Sequence, residues 1–275
     1  MEKNMTRIKI GIVGCGGRMG QSLIGAVLDQ EKACLSGGTE RHDSPDIGQA
    51  IRHPVTGIDT GLTVTADAKT LFKDSDVVVD FTCPTATVLH SGFAAKYSTV
   101  HIVGTTGMSH EDEKILQTTA KSVAIVYATN FSLGVNLLFY LTRKAAQMLD
   151  DDFDIEILEM HHRHKVDAPS GTALTLGHQA AKGRAVVLEN IWDKVRDGIT
   201  GERTRGNIGF ATLRGGNVAG DHTVSFNGDD ERIELSHKAG NRTIFARGAV
   251  KAALWATEQK SGLYDMFDVL GLPKN

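Results

Sequence analysis

The chain has little cysteine: Cys15, Cys34 and Cys83 are the only three in 275 residues. An odd, widely spaced set argues against a disulfide framework and for a reducing compartment, so we expect a cytoplasmic protein. Long apolar runs are also missing, and none could span a bilayer. Residues 1–9 lack the apolar core of a secretory signal. Neither sign of charge dominates, since the formal net charge is -3. No overall field therefore favours nucleic acid or an anionic membrane, and neither is expected as a partner. Internal repeats and low-complexity stretches are absent. What remains is an ordinary globular composition, 41% hydrophobic and 23% charged. Its length suits one large domain or two modest ones.

Residues 8–13 form a short apolar run leading into glycines, as a buried parallel strand does. A helix over 19–30 and a strand over 34–39 follow, and the polar stretch 41–61 reads as a long loop. Strands at 77–81, 100–103 and 123–127 are separated by helices at 85–95 and 111–119. This alternation predicts an α/β, Rossmann-like, doubly wound parallel sheet over residues 1–130. The pattern changes after Asn130-Phe131-Ser132-Leu133-Gly134. A helix at 135–149 leads to a strand at 153–160. Later strands at 208–214, 223–227 and 232–236 follow one another with turn residues between them, and they read as antiparallel. That predicts a second α+β domain over 131–240, with a mixed, largely antiparallel sheet. A helix at 244–257 then packs back on the first domain.

Gly14-Cys15-Gly16-Gly17-Arg18-Met19-Gly20 lies between the first strand and its helix, where a dinucleotide pyrophosphate meets a helix N-terminus. Gly14 and Gly16 begin the usual glycine fingerprint, but Met19 holds its third position. The spacing Gly14, Gly17, Gly20 fits a variant G-x-x-G-x-x-G. A tight turn without a ligand is the plainer alternative. Glu40 and Arg41, about 20 residues on at the end of the second strand, stand where the ribose is selected. Glu40 suits the ribose hydroxyls of NADH and Arg41 the 2′-phosphate of NADPH, so both cofactors are expected. Two solvated loop charges are the bland reading. Gly104-Thr105-Thr106-Gly107 and Ala128-Thr129-Asn130-Phe131 also fall at the carboxyl ends of strands, where ligands bind such sheets.

The most informative run is Glu159-Met160-His161-His162-Arg163-His164-Lys165-Val166-Asp167-Ala168-Pro169-Ser170-Gly171-Thr172. So much potential positive charge belongs in an exposed or cleft-lining loop after a strand. Ser-Gly-Thr then reads as a helix start, with Ser170 or Thr172 able to cap it. Backbone N–H groups there form an anion site, so the run suggests a small ligand carrying carboxylates or phosphates. Histidine adds a proton donor near neutral pH. No metal is expected. His161, His162 and His164 match no ligand spacing, and Arg163 and Lys165 repel a cation. A solvated basic loop is the remaining alternative, which the Pro-Ser-Gly-Thr turn disfavours.

These motifs, with Asp80-Phe81-Thr82, Asn130 to Asn136, Gly206 to Arg214 and Ser261 to Met266, make the chain resemble the bacterial 4-hydroxy-tetrahydrodipicolinate (dihydrodipicolinate) reductase family of diaminopimelate and lysine biosynthesis. The likeness covers nearly the whole chain and is weakest over 182–199. It implies a cofactor domain at 1–130 completed by 241–275, and a substrate-binding and tetramerisation domain at 131–240. It implies NADPH or NADH as reductant, with Gly14, Gly16, Gly17, Arg18, Met19, Glu40, Arg41, Gly104, Thr105, Thr106, Ala128, Thr129, Asn130 and Phe131 on the cofactor. It further implies His161 as proton donor, Lys165 as its cationic partner, and His162, Gly171, Thr172 and Arg242 on the carboxylates of a cyclic dicarboxylate. A homotetramer is expected, and the alternation in Arg232-Ile233-Glu234-Leu235-Ser236 suits a sheet with one face on its own helices and one on a neighbour. With cofactor loop and histidine loop in different domains, closure about 130–134 and 205–207 is expected. Two other readings stay open. An amino-acid or sugar dehydrogenase of the same architecture needs no anion site after a histidine cluster. A dinucleotide sensor needs no His161 with Lys165.

Overall fold

A computed structural model describes residues 7–273. Residues 1–6 and 274–275, which the sequence assigns to the first domain, lie outside the described residues. The chain divides into two units, Met1–Leu133 with Arg242–Asn275, and Gly134–Asn241.

In the first unit the chain runs β1 (Ile8–Val13), α1 (Arg18–Leu28), β2 (Ala33–Thr39), β3 (Ala50–Arg52), β4 (Asp59–Thr65), α2 (Ala68–Asp74), β5 (Val77–Asp80), α3 (Pro84–Tyr97), β6 (Val100–Val103), α4 (His110–Thr119) and β7 (Ala124–Tyr127). Every residue of β5 is buried, as a strand covered on both faces requires. Its alternate side chains feed two cores. Val77 and Val79 join Leu23, Ile24 and Val27 of α1, and Val78 joins Leu71, Phe72, Ala94 and Leu116 on the other face.

The second unit holds α5 (Leu133–Met148, beginning at the boundary), β8 (Asp154–His161), α6 (Gly171–Gly183), β9 (Trp192–Asp193), β10 (Ile208–Arg214), β11 (Asp221–Asn227) and β12 (Arg232–Lys238). The chain then returns to the first unit as α7 (Thr243–Ala256), β13 (Gly262–Tyr264) and α8 (Met266–Leu270). Ala246, Ala249, Ala252 and Ala253 make α7 narrow, and it enters the same core as α1.

The first sheet has the order β13-β7-β6-β5-β1-β2-β4-β3. Only the β3–β4 pairing is antiparallel. Strand order reverses about β1, so the carboxyl ends of β1 and its neighbours form the switch point where ligands bind. The expected loop over 41–61 in fact contains β3 and the start of β4. Only Ile51 of β3 is buried, so this short edge hairpin carries almost no apolar signal.

The second sheet has the order β12-β11-β8-β10-β9. β11 is antiparallel to β8 and β12. β10, expected to be antiparallel, runs parallel to β8. The reason is topological: β10 and β11 flank β8 on opposite sides instead of forming a hairpin. Alternation along β8 turns Ile155, Ile157, Glu159 and His161 inward, and α6 packs on β8, β10 and β11. Residues 205–207, expected as a hinge, lie inside the second unit. The Arg203 guanidinium fixes them by donating to the carbonyls of Asn207 (2.6 Å) and Ile155 (3.1 Å).

Candidate functional site

The glycine loop in the first unit meets the geometric demands of its spacing. Gly14 has φ +70°, a conformation open chiefly to glycine. A Cβ on Gly20 would strike the Gly14 carbonyl and the Cys15 backbone, so only glycine lets α1 start this close to the turn. Gly17 is the N-cap, and Arg18 and Met19 open the helix, whose first-turn amides have no acceptor within the helix. The Gly16 N–H donates to Glu40 Oε1 at 2.9 Å, which fixes that carboxylate just past β2. Arg41 is 76% exposed and its Nε pairs with Asp43 at 3.2 Å. Asp46, which the sequence did not single out, stands over the Cα of Gly16. Burial, and then the Glu40 charge, pushes the Cys15 thiol up to about 12, so this cysteine in the loop is inert. The first-turn amides of α1 are the groups an anion could meet here.

The other loops expected to meet a cofactor are organised by a residue absent from the predicted set. Asp80, fully buried at the end of β5, accepts from His90 Nδ1 (2.8 Å), His101 Nε2 (3.3 Å), and both the N–H and hydroxyl of Thr82 (3.0 and 2.6 Å). Burial opposes its ionisation, but the hydrogen bonds from His101 and His90 prevail and hold the carboxyl well below the usual range. Thr105 belongs to this network. Its hydroxyl meets Thr87 at 2.7 Å and Asp80 at 3.5 Å, so its side chain is buried and its backbone is the part left for a ligand. Thr106 and Thr129 are exposed, whereas Gly104 is buried. Ala128 and Asn130 are half-buried. The Phe131 ring is buried against Phe81, with centroids 5.3 Å apart.

In the second unit, His161 closes β8 and is 8% exposed. Its Nδ1 lies 2.5 Å from Glu159 Oε2. Glu159, only 1% exposed, also takes both arms of Arg214 at 2.9 Å and the Ser170 N–H at 3.0 Å. Burial would raise its pKa, but hydrogen bonds from Arg214, His161 and Ser170 overcome this and keep it ionised below the ordinary glutamate range. Ser170 is the N-cap of α6 and accepts the Ala173 N–H at 3.2 Å. Gly171 and Thr172 are the first residues of that helix. The Ala168–Pro169 bond before it is cis.

Lys165 donates to Asp167 at 2.7 Å, and that contact holds the Asp167 carboxyl below its usual range. The His162 N–H donates to the Val218 carbonyl at 2.8 Å, and its ring lies 6.2 Å from that of His164. His222 packs edge-on to His161, with centroids 5.0 Å apart, and burial followed by the His161 charge pushes it down to about 3. Among the described residues no cluster of His, Cys, Asp or Glu could hold a metal ion.

His161, His162, Lys165, Gly171 and Thr172 thus share one end of the second sheet, whereas Arg242 caps α7 in the first unit. Sequence reasoning did not assign roles to Glu159, Arg214 and His222. The signal for Glu159 was available, because residues i and i+2 of a strand share a face. Those for Arg214 and His222 were not, since both partners come from other strands.

A glycine-loop α/β unit joined to a unit that sets a buried histidine beside a helix N-terminus has the architecture of a nicotinamide-dependent oxidoreductase. Two family models, described as dihydrodipicolinate reductase N-terminus and C-terminus, match residues 8–131 and 134–270. The chain belongs to the dihydrodipicolinate reductase family. It is 55% identical over 263 residues to the 4-hydroxy-tetrahydrodipicolinate reductase of Brucella abortus (strain 2308), covering 95% of this chain and 98% of that one. It is 52% identical over 261 residues to that of Ruegeria sp. (strain TM1040), covering 95% and 97%. Among solved structures, dipicolinate-bound dihydrodipicolinate reductase from Paenisporosarcina sp. TG-14 shares the fold at TM-score 0.77 and 24% identity, over 96% of this chain and 99% of that one. An amine dehydrogenase from Mycobacterium smegmatis shares it at 0.65 and 13% identity, over 99% and 97%.

Proposed function

We propose that this chain reduces 4-hydroxy-tetrahydrodipicolinate to tetrahydrodipicolinate in the diaminopimelate and lysine pathway, the 4-hydroxyl leaving as water, with either NADPH or NADH, and that His161 is the proton donor. The observation that carries this reading is the tie between His161 and the start of α6 through one buried carboxylate, Glu159. A proton donor and a helix N-terminus at one place suit a substrate that carries carboxylates and gains a proton.

With its pyrophosphate at the glycine loop, a nicotinamide cofactor would supply the hydride. His161 transfers its proton to the charge that then develops on the substrate ring, and the neutral imidazole takes up a proton from solvent afterwards. Lys165 stabilises the same charge and helps to bind the dianion. His162, Gly171, Thr172 and Arg242 hold the carboxylates. Glu40 receives the ribose hydroxyls of NADH, and exposed Arg41 the 2′-phosphate of NADPH. We further propose a homotetramer, supported by the outward face of the second sheet, where Leu158 and Leu213 are 42% and 49% exposed. A cytoplasmic location is supported by three free thiols. Among the described residues no helix is long and apolar enough to cross a membrane.

The test is turnover with enzymatically generated substrate, followed by loss of NADPH absorbance. Oxidation that depends on substrate is expected. A purified, cofactor-binding protein that leaves NADPH intact with substrate present would contradict the reading.

A further inference from the structure

Glu159 has more partners than a surface carboxylate needs. Its Oε2 takes His161 Nδ1 and one arm of Arg214. Its Oε1 takes the other arm of Arg214, the Ser170 N–H and, at 3.4 Å, the Thr212 hydroxyl. Three elements converge on it: its own strand, β10 and the N-cap of α6. Arg214 also donates to the Asp167 carbonyl at 2.6 Å, so the loop carrying Lys165 is held by the same ion pair.

An ionised carboxylate only accepts hydrogen bonds. His161 must therefore present Nδ1–H to Glu159, which leaves Nε2 as the nitrogen available for proton transfer. Gly220 borders that nitrogen, and a Cβ there would sit 3.0 Å from Nε2. The absence of a side chain at this position keeps Nε2 uncovered. On β11, His222 lies opposite Glu159 in register, and its Nε2 meets the Ser170 hydroxyl at 3.2 Å.

Resting on the proposed role of His161, we propose that Glu159 is a positioning residue with two simultaneous tasks. It fixes the His161 ring with Nδ1 protonated and Nε2 outward, and it locks that ring to the first turn of α6. Proton donor and carboxylate-binding helix start then move as one rigid body. The ionisable groups around His161 are Glu159 on its own strand, which it bonds, His222 from β11, which it packs against, and Arg214 from β10, which pairs with Glu159; Lys165 and Asp167 pair in the following loop, His237 lies on β12 opposite His222, and the first turn of α6 has no acidic residue.

The test uses the full-length enzyme. In the wild type, ¹⁵N NMR of His161, assigned by its loss in His161→Gln, should show the neutral ring protonated at Nδ1. The Nε2–H form would overturn the proposal, and this measurement does not depend on any Glu159 variant folding. In Glu159→Gln we expect a mixture of both neutral forms and a fall in kcat of about 10²-fold. Glu159→Asp should recover part of kcat. A folded Glu159→Gln enzyme with wild-type kcat and wild-type ring protonation would refute the positioning role. His161→Gln activity separately tests His161 as the donor, so the two failures are distinguishable.

Discussion

His222 makes the second unit sensitive to acid in a way that can be calculated. Its folded pKa is held down to about 3 by burial and by the His161 charge, whereas an unfolded histidine titrates near about 6.5. Below that pH the unfolded chain binds a proton that the folded chain refuses. Stability is therefore full above about pH 6.5 and falls as the pH drops towards the folded value. Between about pH 7.5 and about pH 4.5 the loss is 2.303RT over about two pH units, or about 3 kcal/mol. The perturbation is His222→Asn, which keeps a polar partner for Ser170 but cannot be protonated. The two tryptophans lie one in each unit, Trp192 in the second and Trp255 in the first. Trp255→Phe thus leaves Trp192 to report the second unit alone in urea titrations. His237, also held low by burial, is common to both proteins and largely cancels. Wild type should lose about 3 kcal/mol more than His222→Asn across this window. Parallel stability–pH curves would refute the reasoning.

Arg41→Ala should weaken NADPH binding by about 1.5–3 kcal/mol and leave NADH nearly unchanged. Equal losses for both cofactors, by calorimetry, would remove Arg41 from the 2′-phosphate. Gly20→Ala places a methyl against the Gly14 carbonyl and should destabilise the first unit by about 1–3 kcal/mol and weaken both cofactors. A thermal shift equal to wild type, with and without NADPH, would contradict the close approach. Light scattering at micromolar concentration should give a tetramer, and Leu213→Asp should dissociate it; a monomeric wild type would exclude the assembly.

Some of this was readable from the chain alone. The run 77–79 stands out because it is all valine, and β5 occupies it, while 208–214 stands out because turn residues bound it, and β10 occupies it. The hairpin of β3 and β4 was not readable, since an exposed edge needs only Ile51 and Val64 to be apolar. The parallel pairing of β10 with β8 was also hidden, because sequence order does not say which side of β8 each strand takes. At the site, local chemistry was legible: the glycine spacing, a helix start capped by Ser170 or Thr172, which the structure resolves to Ser170, and the cationic loop each follow from short-range rules. The histidines of the Asp80 hub and the Arg214–Glu159 pair were not, since those partners lie 10 to 55 residues apart and no local rule joins them.

The account rests above all on His161 as the proton donor, and His161→Gln tests that most directly. Across the pH range, kcat should fall by about 10²–10⁴-fold, with a much smaller change in substrate KM and with NADPH affinity unchanged, because the glycine loop proposed to hold the nucleotide lies in the first unit. A His161→Gln enzyme with near-normal kcat at every pH would contradict the account and move the proton's source to His162, Lys165 or water.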